Sequence, residues 1–118
     1  MAFTLFGIPN CQTVKKARDW LSENKIDYVF YDFKKNGVSK ELIDSWLEQY
    51  EITQILNKSG MTYRNLSEEQ KLKSQTVSGA VDLLIEFPSM IKRPILDNGK
   101  NITVGFKEDI YYEVLKNL

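Results

Sequence analysis

The chain has 118 residues, with sixteen basic and sixteen acidic side chains, one cysteine and no histidine. Lacking histidine, it can build no Ser-His-Asp triad, Cys-His dyad or imidazole metal site, and a lone thiol excludes an internal disulfide, a CxxC redox pair and a cysteine-rich zinc site. Charges also balance eight to eight within residues 1–59 and within 60–118, so neither half is built to bind nucleic acid or an anionic membrane directly.

In chain order, Phe3 to Phe6 is a short apolar run closed by Gly7 and Pro9, which predicts a buried strand ending in a turn. From Asn10, a candidate N-cap, the period changes. Val14, Ala17, Trp20 and Leu21 share one helical face, and Lys15, Lys16, Asp19 and Glu23 fall elsewhere. Tyr28 to Phe33 is aromatic and β-branched, and Asn36-Gly37 signals a turn. Residues 3–33 therefore predict a strand-helix-strand unit with parallel strands. Ser39 predicts the cap of a helix carrying Leu42, Ile43, Trp46 and Leu47, and Ser67 with Gln70 predicts a capping box. Residues 52–66 fit a short helix and a loop around Gly60. Val77 to Phe87 predicts a helix with Val77, Ala80, Val81, Leu84 and Ile85 on its apolar face, stopped by Pro88. Pro94 to Asp97 and Ile102 to Val104 flank Asn98-Gly99, a hairpin signal, and residues 108–116 predict a last helix presenting Ile110, Tyr111, Val114 and Leu115.

This order predicts an α/β, thioredoxin-like fold. A helical insertion, approximately residues 38–88, separates the N-terminal βαβ unit from the C-terminal β-hairpin and helix. The length fits one domain, 1–118. Leu, Ile, Val and Phe make up 35 residues, roughly 30% and well above the ~20% at which disorder sets in, so a core is available. The opening MAFTLFGIPN lacks the charged lead and long apolar stretch of a signal peptide, and no segment approaches the ~20 apolar residues of a membrane span. With one unpaired cysteine, the expectation is a reduced, cytoplasmic protein.

Cys11 follows a turn at the start of a helix. Unpaired backbone N–H groups and the positive end of the helix dipole there favour thiolate over thiol, and Lys15, one turn on, adds a positive charge. The bland alternative is a small buried hydrophobe, but a loop-helix junction beside Pro9 and Asn10 is a poor place for deep core. Arg93-Pro94 is the second candidate: arginine is scarce, three residues against thirteen lysines, and its planar fork suits a carboxylate or other anion. Taken alone, the peptide before Pro94 is expected to be trans. A phosphate-gripping CxxxxxR loop would place arginine at position 17, which is Ala17. The adjacent acidic pairs Glu68-Glu69 and Glu108-Asp109 share no helical face and suit helix starts instead. Trp20 and Trp46 are expected to pack, and neither GxGxxG nor a P-loop occurs.

The run from Leu5 to Arg18 through Gly7-Ile8-Pro9-Asn10-Cys11, the Tyr28 to Asp32 strand, and Ile91-Lys92-Arg93-Pro94-Ile95 through Val104-Gly105-Phe106 resemble the arsenate reductase/Spx family, and within it the YffB-like branch. The resemblance spans nearly the whole chain. It implies a thioredoxin-like fold with a helical insertion and a cis Arg93-Pro94 bond that places its loop beside Cys11. It also exposes departures. Arsenate reductases of this type surround their anion with the cysteine and three arginines, whereas here the positions near Asn57 and Gly105 lack arginine and Arg93 remains; Arg64, from the insertion, is a further candidate. The switching Spx regulators carry CxxC, and Val14 stands in place of the second cysteine.

Together these point to a monothiol, glutathione-dependent thiol-disulfide oxidoreductase with Cys11 as nucleophile. Asn10, Lys15, Arg93, Pro94 and Arg64 are the candidate binding residues for glutathione or a small oxidised thiol substrate, and a protein disulfide is a further candidate. Glutathione enters as co-substrate, with no tightly bound cofactor and no metal. The alternatives are glutathione-coupled arsenate reduction and a non-catalytic, Spx-like regulator binding RNA polymerase.

Overall fold

In the computed structural model, which describes residues 2–117, the chain resolves into two compact units: Met1–Asp32 with Arg93–Leu118, and Phe33–Lys92. The helical insertion expected at approximately 38–88 falls within the second of these units. No helix among the described residues is long and apolar enough to cross a membrane.

The first unit is built on β1 (Phe3–Gly7), whose side chains are buried except for Thr4, which is partly so. That suits a strand flanked on both sides. The sheet order is β2-β1-β3-β4, with β2 (Tyr28–Asp32) parallel to β1 and β3 (Ile95–Asp97) antiparallel to it. Between β1 and β2 runs α1 (Gln12–Glu23), the long connection that a parallel pair requires. Val14, Ala17 and Leu21 recur at helical spacing and are fully buried. Ala17 and Leu21 join Phe3, Leu5, Leu96 and Tyr111 in one core cluster, with Trp20, Ile26 and Phe30 packed against it. Burying one such leucine or phenylalanine is worth about 1.5–3 kcal/mol. The exposed Lys15–Asp19 pair on the other face, at 2.9 Å, belongs to a class worth only about 0.3–0.5 kcal/mol, so apolar burial docks this helix.

α1 starts one residue later than expected: Cys11, not Asn10, occupies the N-cap, with φ −117° and ψ 127°. Its far end closes through Lys25 N–H to Ser22 O (3.0 Å) and Ile26 N–H to Leu21 O (2.9 Å), the paired bonds of a Schellman motif. Lys25 occupies the left-handed position, at φ 56°. The strand expected through Phe33 ends at Asp32, because Phe33–Asn36 wind into a helical turn, α2, that buries the Phe33 ring.

The hairpin forms as expected. β4 (Ile102–Val104) pairs with β3 through Asp97↔Ile102. The Asn98 side-chain oxygen accepts from Lys100 N–H (2.9 Å) and Asn101 N–H (2.7 Å), which closes the connection. α8 (Glu108–Lys116) lays Tyr111 into the core, while Ile110 stays 44% exposed. The Tyr111 hydroxyl donates to Gly105 O at 2.9 Å, and the Gly105 N–H donates to Pro94 O at 2.7 Å. Helix, hairpin and the Pro94 loop are thereby tied together.

The second unit is helical: α2, α3 (Lys40–Leu47), α4 (Ile52–Ile55), α5 (Met61–Arg64), α6 (Glu68–Lys73), α7 (Val77–Glu86) and a 3-10 turn at Pro88–Met90. Ser39 caps α3 by accepting from Leu42 N–H (3.1 Å), and Ser67 and Gln70 form the expected capping box on α6. α7 packs against α3, α4, α6 and the 3-10 turn. Its buried face consists of Gly79, Ala80, Val81, Leu83 and Leu84. The expected membership of Val77 and Ile85 is corrected, since they are 56% and 37% exposed. The architecture is α/β and thioredoxin-like, with the helical unit inserted between the βαβ half and the hairpin-helix half.

Candidate active site

β1 sets the position of Cys11. At Gly7 a Cβ atom would lie 2.8 Å from Val14 Cγ2, so the first turn of α1 sits on bare backbone at the strand's end. Ile8 is buried, Pro9 and Asn10 are exposed, and the chain then turns into the helix at Cys11. The Cys11 carbonyl accepts the first helical bond, from Lys15 N–H at 2.9 Å. The thiol itself is partly exposed.

Arg93 comes to the same place through the sheet. β3 runs antiparallel to β1 with Ile95 opposite Phe6. The chain before Ile95 and the chain after Phe6 therefore leave the sheet at the same end of the strands. The Arg93-Pro94 bond is cis, as the resemblance implied and against the default for an isolated X-Pro pair. Pro94 is buried, and Arg93 is partly buried.

Burial alone would push the Cys11 thiol upward. Against it act the backbone amide of Val14, a hydrogen bond from the Arg93 side chain, the amide of Thr13 and the Arg93 charge, and the balance leaves the thiol below its ordinary value. No amide forms a full capping hydrogen bond to the sulfur. The amides therefore act as nearby aligned dipoles, weaker than a formed cap. A helix N-terminus and a guanidinium beside a thiol favour its thiolate, the form that can act as a nucleophile without a general base.

The structure brings Cys11, Arg93 and Pro94 together and places Asn10 in the adjoining turn. Lys15 lies on the exposed face of α1 with its ammonium bonded to Asp19 at 2.9 Å, and the leading groups that lower the thiol are the amides and Arg93. Arg64 closes α5 in the helical unit, where its side chain is exposed. Asn57 lies in that unit too, its side-chain oxygen accepting from the Ser59 N–H and hydroxyl. Arg18 lies 4.1 Å from the Phe30 ring centroid and donates to the Tyr28 hydroxyl at 3.0 Å, so it serves the sheet. The contact of Gly7 with Val14 escapes a motif reading. Its only sequence signal is a glycine at the end of a buried strand. Among the described residues no three of His, Cys, Asp and Glu gather as a metal-binding group.

The pattern that defines the ArsC family matches residues 6–114. The chain is 35% identical over 108 residues to an uncharacterised protein of Haemophilus influenzae, covering 92% of this chain and 94% of that one. It is 29% identical over 108 residues to a global transcriptional regulator Spx of Streptococcus pyogenes, covering 90% and 79%. The solved structure of a protein called YffB superposes with a TM-score of 0.91 at 42% identity, covering 96% of this chain and 98% of that one. With this similarity running through both units and through the Cys11 and Arg93 loops, the chain belongs to the ArsC family.

Proposed function

We propose that this protein is a monothiol, glutathione-dependent thiol-disulfide oxidoreductase. The observation that carries this reading is the Cys11 thiol at the α1 N-cap, lowered by backbone amides and Arg93. Cys11 thiolate attacks the glutathione sulfur of a mixed disulfide, a Cys11–glutathione S–S bond forms, and the substrate leaves as thiolate and takes a proton from water. A second glutathione thiolate attacks the bound glutathione sulfur, which releases Cys11 thiolate and glutathione disulfide. Glutathione supplies both electrons, consistent with a chain that has no second cysteine. In this reading Arg93 holds a glutathione carboxylate, Pro94 fixes the loop beside the sulfur, and Asn10 borders the bound tripeptide. A reduced cytoplasmic thiol pool is the natural setting.

Arsenate is a poorer fit. Asn57 and Gly105 supply no guanidinium, and losing two charge-assisted contacts weakens capture of a compact oxyanion. The similarity to Spx supports a second reading, in which the protein contacts RNA polymerase without using its thiol. Retention of polymerase by the Cys11→Ser protein equal to wild type would favour that reading over the enzyme. The direct test of the enzyme is incubation with labelled glutathione disulfide. Wild type should form one mixed disulfide that excess glutathione releases, and Cys11→Ser should form none; an adduct that persists in the variant overturns the assignment.

A further inference from the structure

Thr13, Lys16, Trp20 and Glu23 follow one another at helical spacing along one side of α1. With Phe106 and Glu108 from the β4–α8 connection they line an open groove. Ten residues of helix from Thr13 to Glu23 span about 15 Å, the length of about four or five extended residues at ~3.3 Å each. Trp20 and Phe106 are partly exposed. Each meets the buried Tyr111 ring edge-on, with centroids 5.7 and 4.8 Å apart, so the groove has fixed aromatic walls. Asp19 also borders it but is bonded to Lys15. Glu23 and Glu108 form no ion pair among the described residues, and Lys16 is the one ammonium in the lining. Carboxylates beside aromatic faces suit a lysine or arginine, whose stem packs on the rings and whose head meets the charge.

We infer that this groove binds a basic, extended segment of a protein whose oxidised cysteine is delivered to Cys11, an inference that rests on the thiol-exchange reading above. Glutathione, with two carboxylates and one ammonium, has the wrong net charge for the groove and the right one for Arg93. The two halves of a protein–glutathione mixed disulfide thus find different chemistry on this unit. Thr13 links the two places: it is among the residues that line the groove, and its amide is among the groups acting on the Cys11 sulfur.

The test uses two synthetic peptides of equal length, each carrying one cysteine disulfide-linked to glutathione, with either lysine or glutamine two and four positions from it. Wild type should transfer glutathione from the lysine peptide about fivefold faster, the scale of two solvent-exposed ion pairs. Glu23→Gln with Glu108→Gln should erase that preference and leave the glutamine peptide's rate unchanged. Equal rates in wild type, or a preference that survives the double substitution, overturns the inference. A second arm replaces the peptide cysteine by serine and follows tryptophan emission, which reports on Trp20 because Trp46 is buried in the helical unit. If no disulfide reacts but the lysine serine-peptide alters emission in a Glu23- and Glu108-dependent way, docking stands and the exchange reading fails. No emission change from the lysine peptide overturns docking whatever the chemistry does.

Discussion

Arg93 acts on Cys11 both as a hydrogen-bond donor and as a charge, and the two meet because Phe6 and Ile95 are paired across β1 and β3. Each influence favours thiolate. Arg93→Gln should therefore move the Cys11 thiol up and slow its alkylation at pH 7 by up to about tenfold, since a hydrogen bond to a charged group is worth on the order of 1.5–3 kcal/mol before solvent screening. Arg93→Lys keeps the charge but loses the planar fork, so it should recover only part of the rate. Iodoacetamide kinetics across pH measure both variants, and an unchanged Arg93→Gln profile would remove Arg93 from the site.

Lys15→Met should leave that profile unchanged, because the Lys15 ammonium is held by Asp19 on an exposed helix face. The cost should be that of an exposed i,i+4 pair, about 0.3–0.5 kcal/mol in urea unfolding. A slowed alkylation in Lys15→Met would show that the ammonium leaves Asp19 and serves the thiol.

Gly7→Ala places a methyl 2.8 Å from the stiff, β-branched Val14 side chain. Overpacking of this kind should cost about 1–3 kcal/mol. Gly7→Ala with Val14→Ala removes the clash, so the pair should be less destabilised than the two single losses added together. Denaturant midpoints of the four proteins in the cycle decide it; strict additivity would mean that the strand end and the helix do not press on each other.

Lys25 holds a left-handed conformation at φ 56°, unfavourable for an L side chain by about 1–2 kcal/mol. Glycine there gives back part of that gain as unfolded-state entropy. Lys25→Gly should still raise stability, by about 0.5–1 kcal/mol in urea unfolding. A loss of stability would mean that the lysine side chain makes a contribution larger than the strain.

Features governed by near neighbours in sequence were legible there. The β1 run, the Ser39 and Ser67 caps, the Asn98-Gly99 hairpin and the last helix rest on turn chemistry and apolar period, and each forms where those signals stand. Local ambiguity hid the start of α1: Asn10 has the better capping side chain, but the chain turns at Cys11. Period alone could not tell that Val77 and Ile85 sit at the border of the α7 apolar stripe, because burial there depends on which helices pack against it. The site divides the same way. Helix-start amides could be read from Cys11's position, whereas the choice between Lys15 and Arg93 as its cation depends on a distant strand register and on a competing carboxylate at Asp19.

The claim that backbone amides and one guanidinium activate a thiol without histidine or a second cysteine is tested most directly by titrating Cys11 alkylation against pH. The rate follows the thiolate fraction. The midpoint should lie below that of an unperturbed thiol, about 8.5, in the folded protein, and the difference should be lost on unfolding in urea. A midpoint at or above that value in the folded protein contradicts the claim.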